Sequence, residues 1–301
     1  MRAVQGLLGI TVVFTALLAG RIAVAETVVS PGNMGDWAFA QTDSSGDILA
    51  NGTGVATMVT GPATPPLGVG SAQLATGSGA GDGSSQITST GYAGVALSSL
   101  TALSYSAYDT TNNGSQFPYM QLALCWNPKV ETPGTVDDIL FFEPPYQTPT
   151  TGNPKSGQPG GLINQATVMN TWQTWNALNG GWWSDVGVAG FGPGDNVGSL
   201  AAYLKLYPNA AIVNYPDTMW GGPNPSGITE GGIGLYVGYA GPDDNFNGYV
   251  DNVTIGTTTY DFEPASSPEN SSTPEPSSLV ALLGLSATGL VGFWRRRRAA
   301  A

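Results

Sequence analysis

The chain has 301 residues, with 21 acids against nine bases, a net charge of −12 and a pI near 4.1. It contains no histidine, which removes Ser-His-Asp and Cys-His nucleophile activation and the usual imidazole zinc sites. Its one cysteine, Cys125, allows no intramolecular disulfide, and its acidity sets the surface against phosphate backbones, so no nucleic-acid partner is expected.

In chain order, the first feature is an export signal. Arg2 supplies a positive start, residues 7–18 an apolar core, and Ala23-Val24-Ala25 a small-residue cleavage site, so residues 1–25 read as a signal peptide for the Sec machinery. Cleavage there removes Arg2 and Arg21. The body then keeps only Lys129, Lys155 and Lys205 against twenty acids, a net charge near −17 up to residue 273. Such acidity serves solubility in an exported protein.

The body is rich in Gly, Ser, Thr and Asn, with short apolar alternations between turn residues. Strands are expected at 37–40, 55–60 and 71–76, with a rigid link at Gly61-Pro62-Ala63-Thr64-Pro65-Pro66 and a flexible loop over 77–85. Residues 100–108 and 119–126 alternate as central strands facing a core. Residues 137–143 hold Ile139-Leu140-Phe141-Phe142, too uniformly apolar to be solvated, and a long loop over 147–161 follows. One helix is predicted, 200–206, with Ser199 as its N-cap and Pro208 beyond its end. Strands at 211–214, 233–239, 249–255 and 259–262 complete the body, and the Ser-, Pro- and Glu-rich 264–273 reads as a disordered spacer.

About a dozen strands, one short helix and no βαβ pattern make the fold class all-β, an antiparallel two-sheet sandwich over 26–263. The segments Gly91-Tyr92-Ala93-Gly94, Leu100-Thr101-Ala102-Leu103-Ser104-Tyr105, Thr171-Trp172-Gln173-Thr174-Trp175 and Gly248-Tyr249-Val250-Asp251-Asn252-Val253 resemble jelly-roll, concanavalin-like and carbohydrate-binding sandwiches. That resemblance implies a fold and assigns no activity.

Three constellations in the body could carry chemistry. Trp172, Trp175, Trp182 and Trp183 fall within twelve residues. They either stack on sugar rings, whose C–H faces pack on aromatic carbon, or fill a core short of Leu and Ile. Asp243, Asn245 and Asn247, followed by Gly248 and with Asp251 at the ninth position, fit the opening of a calcium loop, in which oxygen ligands converge and Gly permits the turn. Thr254 stands where a bidentate Glu completes an EF-hand, so the alternative is a plain Asn247-Gly248 turn into a strand, and structural calcium is the one cofactor the sequence suggests. The third comprises the pairs Glu143 with Glu230 and Asp138 with Glu143, which could act as glycosidase carboxylates if held about 5 to 10 Å apart. Neither sits in a glycosidase motif, and the chain is expected not to be an enzyme.

The C-terminal tail is the most specific stretch. Pro274, Glu275 and Pro276 precede an apolar run over 279–294, and Arg295, Arg296, Arg297 and Arg298 follow without a break. Sixteen residues make a helix of about 24 Å, short of a ~30 Å hydrocarbon core, and the arginines are retained on the cytoplasmic side. This order resembles the PEP-CTERM sorting signal of bacterial surface proteins. The resemblance implies that an exosortase cuts near Pro274-Glu275-Pro276, so that residues 274–301 anchor the chain only transiently in the membrane. A retained single-pass anchor is the alternative. The expected protein is exported to the cell envelope or extracellular matrix with a structural or adhesive role. A carbohydrate-binding module using exposed tryptophans is the runner-up and would make glycans its partner.

Overall fold

The structure, a computed structural model, describes residues 25–43, 45–50, 52–77, 82–112, 116–147, 165–216, 225, 227–238 and 245–265. The signal peptide before Ala25, most of the 147–161 loop, Asp243, most of the spacer and the whole sorting signal lie outside these residues. Among the described residues, no helix is long and apolar enough to cross a membrane.

Fifteen strands form two sheets. The seven-stranded sheet is built around β14 (Asn247–Ile255), which pairs with β6 (Leu103–Thr111) along one edge. Along its other edge it pairs first with β4 (Gly70–Ala75) and then with β15 (Thr258–Phe262). Strands β3 (Val55–Thr60), β9 (Gln173–Trp175) and β1 (Ala25–Val29) complete it. The eight-stranded sheet runs β11 (Gly198–Ser199), β10 (Gly181–Ser184), β8 (Asp138–Phe142), β7 (Tyr119–Cys125), β13 (Ile233–Gly238), β5 (Asp82–Ser89) and β2 (Trp37–Asp43). In it β12 (Ala211–Ile212) pairs with the end of β7.

The main core joins the inward faces of the two sheets. Ile87, Met120, Leu122, Leu140, Phe142 and Leu235 from one meet Leu74, Leu103, Tyr105, Val250, Val253 and Phe262 from the other. A second cluster lies on the opposite face of the eight-stranded sheet, around Tyr119, Phe141, Val213, Tyr215 and Tyr236. Every residue of β7 and β8 is therefore buried, because both faces of those strands are covered. This explains the continuous apolar run over 139–142, which a half-solvated strand would have broken with polar residues.

The expected all-β sandwich is present, with three differences. One pair, β1 with β15, is parallel, so the sandwich is not wholly antiparallel. The Gly/Ser-rich 77–85, expected as a loop, contributes the start of β5: Ser84 and Ser85 pair with Thr42 and Gln41 of β2 on one side and with Gly238 and Val237 on the other. Ladder pairing there overrides low strand propensity. Strand β1 begins at Ala25, so cleavage after that residue would leave Glu26 to Val29 free to pair with Thr259 to Phe262. The one α-helix among the described residues, α1 (Leu200–Leu206), has the expected bounds, and the Ser199 hydroxyl accepts the Ala202 N–H at 3.1 Å as an N-cap.

Strand β14 carries a bulge. Its register against β6 shifts between Asp251 and Thr254, and Asn252 has φ +52°. The extra residue lets Val250 and Val253, three apart, both enter the core, while Asp251, next to Val250, faces the other side of the sheet by ordinary alternation. Asn tolerates this left-handed backbone and a β-branched residue does not. Replacing Asn252 by Val is expected to cost about 1–2 kcal/mol more than replacing it by Gly, measured by urea unfolding, since both variants lose the same side-chain bond to Ser106.

Candidate functional site

The four tryptophans divide in two. Trp175 and Trp182 are fully buried, the first edge-on to Phe117 and the second against Phe142, with its indole N–H donating to the Ala177 carbonyl. They fill the core. Trp172 and Trp183 keep exposed edges on opposite faces of the sandwich. Trp172 leans on Tyr108 of the seven-stranded sheet and donates to the Pro62 carbonyl. Trp183 stacks on Phe141 of the eight-stranded sheet at 4.0 Å and donates to Glu143 Oε1 at 2.9 Å. No single platform unites the four.

The calcium-loop residues are also apart. Asp243 lies outside the described residues, and Asn245 is exposed. Asn247 and Asp251 both belong to β14, four positions or about 13 Å apart along the strand. Asn247 Oδ1 accepts from Gln73, while Asp251 accepts from the Leu67 and Phe262 amides. The structure does not bring these two to one ion.

The acid pairs are separated too. Asp138 points into the core, where Ser184 and Tyr203 donate to it, whereas Glu143 lies beyond the far end of β8 on the outer face with Trp183. Glu230 accepts from Gln86 Nε2 at 2.7 Å. By the strand register, Gln86 pairs with Tyr236 and Tyr236 with Tyr119, next to which Glu143 falls, so Gln86 and Glu143 stand three strand spacings or about 14 Å apart. Burial raises the pKa of both Asp138 and Glu143, an effect their hydrogen bonds only partly oppose.

A different trio could in principle ligate a metal: Cys125, Glu131 and Asp137 offer atoms within 4.8 Å of one another. The Cys125 thiol instead donates to Glu131 Oε2 at 2.9 Å, and burial followed by that bond pushes its pKa up to about 11.

The arrangement with most recognition chemistry is on the outer face of the eight-stranded sheet. Trp183, Phe141, Tyr119 and Tyr236 follow one another across β10, β8, β7 and β13, with ring centroids 4.0, 6.5 and 5.8 Å apart. Within this row, Gln121 sits between Phe141 and Gly234, on the same face. Gln121 is 1% exposed, and neither its Oε1 nor its Nε2 has a hydrogen-bond partner. A buried primary amide left unbonded costs free energy. Beside it, Gln86 and Glu230 form a second polar group. The sequence does carry a sign of Gln121, as the one strongly polar residue in the apolar run of β7.

Comparison with known proteins identifies one family feature. The PEP-CTERM protein-sorting motif matches residues 272–298, the segment that follows β15 and its spacer. The chain therefore carries the signal for exosortase-dependent export and sorting to the cell surface, with an exosortase as its processing partner. No curated protein and no solved structure matches the chain.

The division among the tryptophans has a measurable consequence. Trp175→Ala and Trp182→Ala are each expected to cost about 3–5 kcal/mol in urea unfolding, and Trp172→Ala and Trp183→Ala less than half of that. Equal losses for all four would contradict the placement.

Proposed function

We propose that this chain is a non-catalytic adhesive component of the cell envelope or extracellular matrix, whose sandwich meets polysaccharide through Trp183, the half-exposed ring at the edge of the aromatic cluster on the outer face of the eight-stranded sheet. In this reading the C-terminal apolar segment holds the chain in the membrane as a helix until the exosortase removes it, and Sec carries out the initial export. The observation that carries the binding role is Trp183, half-exposed, stacked on the buried Phe141 and held by its indole N–H to Glu143, a fixed aromatic edge beside a carboxylate. Aromatic rings that pack on the C–H face of a pyranose, together with a few convergent amide and carboxylate groups for its hydroxyls, are the usual chemistry of sugar recognition. Trp183 marks the open end of the row.

The non-catalytic reading is supported by the state of the two carboxylates nearest the row. Glu143 is engaged by the Trp183 indole and Glu230 by the Gln86 amide, and neither is paired with the other.

The test uses the purified full-length chain and extracellular polysaccharide immobilised on a column. Gln121→Leu removes the amide at nearly constant volume and is expected to leave the fold as stable or more so, because it deletes unbonded polar atoms. Retention of the natural chain, with a tenfold or greater loss for Trp183→Ala and unchanged retention for the buried Gln121→Leu, would support the reading. Absence of retention, or equal retention of the variants, would overturn it.

A further inference from the structure

Three carboxylates converge where the chain leaves the sandwich for its sorting signal. Asp251, on the face of β14 opposite the core-facing Val250, is fully buried and accepts the Leu67 amide at 3.0 Å and the Phe262 amide at 3.1 Å. Glu263, 6% exposed, accepts the Val69 and Gly70 amides through Oε1 at 2.6 and 3.1 Å. Asp261 lies between them and is 3% exposed, and its Oδ1 has no hydrogen-bond partner.

Its other oxygen lies against Glu263. A Cβ placed on Gly68 would fall 1.6 Å from Glu263 Oε1 and 3.1 Å from Asp261 Oδ2, so both oxygens crowd the same point of the backbone, and Gly68 itself has φ +49°. Only glycine fits there, on both counts. The loop between Gly61 and Val69 is thus drawn over the three acids. Burial, then the fields of Asp251, Glu263 and Glu26, lift the Asp261 pKa to about 7.

We propose that Asp261 and Glu263, with Asp251 behind them, bind a divalent cation of the calcium class that fastens the loop from Gly61 to Val69 onto the last strand. Buried charges persist when they are paired or coordinate a metal, and the body has only Lys129, Lys155 and Lys205 to offer as partners. The donors are hard carboxylate oxygens from the bulge of β14 and from the end of β15, an irregular set that suits calcium's flexible coordination better than magnesium's octahedron. Oδ1 of Asp261 supplies the free donor, and it belongs to an acid the amides of the loop do not already hold. The site differs from the 243–251 calcium loop suggested by the sequence, sharing with it Asp251 alone. It stands nine residues before the start of the matched sorting motif, so the cation would brace the root of the tail.

The test titrates the full-length chain with CaCl2 at pH 7.5, by calorimetry and by thermal unfolding against EDTA. The proposal predicts saturable binding with a Kd on the order of 10⁻⁴–10⁻³ M, the range of extracellular calcium modules, and a Tm that rises by several degrees. Asp261→Asn should weaken binding at least tenfold while raising the Tm in EDTA, because it deletes a buried unpaired charge. Glu263→Gln should also weaken binding at least tenfold, and it carries the test by itself if Asp261→Asn does not fold. Asp243→Asn should bind as the natural chain does. No saturable binding, unchanged binding in both cluster variants, or loss of binding in Asp243→Asn would overturn the proposal.

Discussion

The structure depends on burying carboxylates in a body with almost no cations. Three lysines stand among twenty acids, and there is no histidine, so an acid taken into the fold is held by backbone amides, hydroxyls and indoles. Asp251 and Glu263 accept amides of the loop before β4; Asp137 accepts the Trp126 amide at 2.7 Å; Asp138 accepts Ser184 and Tyr203 hydroxyls, the latter at 2.7 Å. A carboxylate that accepts several N–H or O–H bonds recovers much of the hydration it loses, and each bond to a charged group is stronger than a neutral one. These acids therefore act as fasteners between segments far apart in sequence. Leu67 and Asp251 are 184 residues apart, and Val69 and Glu263 are 194 apart.

Fastening of this kind joins the fold to the protein's delivery. Strand β15 pairs with β14 and with β1, and the sorting motif begins ten residues after β15 ends. The last strand thus connects the sandwich core, through Phe262, with the tail that the exosortase recognises, and Glu263 just beyond it holds amides of the neighbouring loop. The proposed contact at Trp183 is on the other sheet and is independent of that junction.

Much of the architecture was legible in the sequence because it followed period-two alternation. Leu122 and Leu124, or Leu235 and Val237, identify core-facing strands without further help, and Ser199 with the apolar turn after it identifies α1. Strand β5 was not legible, since Ser84 and Ser85 gain their strand geometry from partners on both sides and not from their own propensity. The bulge at Asn252 was equally hidden, because no local pattern shows that Val250 and Val253 share a face. The four clustered tryptophans are neighbours in sequence but divide between core and two surfaces. For the candidate sites, Gln121 was visible as a polar break in an apolar strand. The meeting of Asp251, Asp261 and Glu263 depends on the turn between β14 and β15 and on a loop nearly two hundred residues earlier, and no spacing rule reports such a contact.

The claim that buried carboxylates hold distant loops is tested most directly by amide hydrogen exchange at Leu67, Val69 and Gly70. If Asp251 and Glu263 hold these amides, Leu67 and Val69, in the loop ahead of β4, will exchange as slowly as strand amides such as Leu74, and Glu263→Gln will speed Val69 and Gly70 selectively. Exchange of Leu67 and Val69 at the rate of an open loop, with Leu74 protected, would contradict the account.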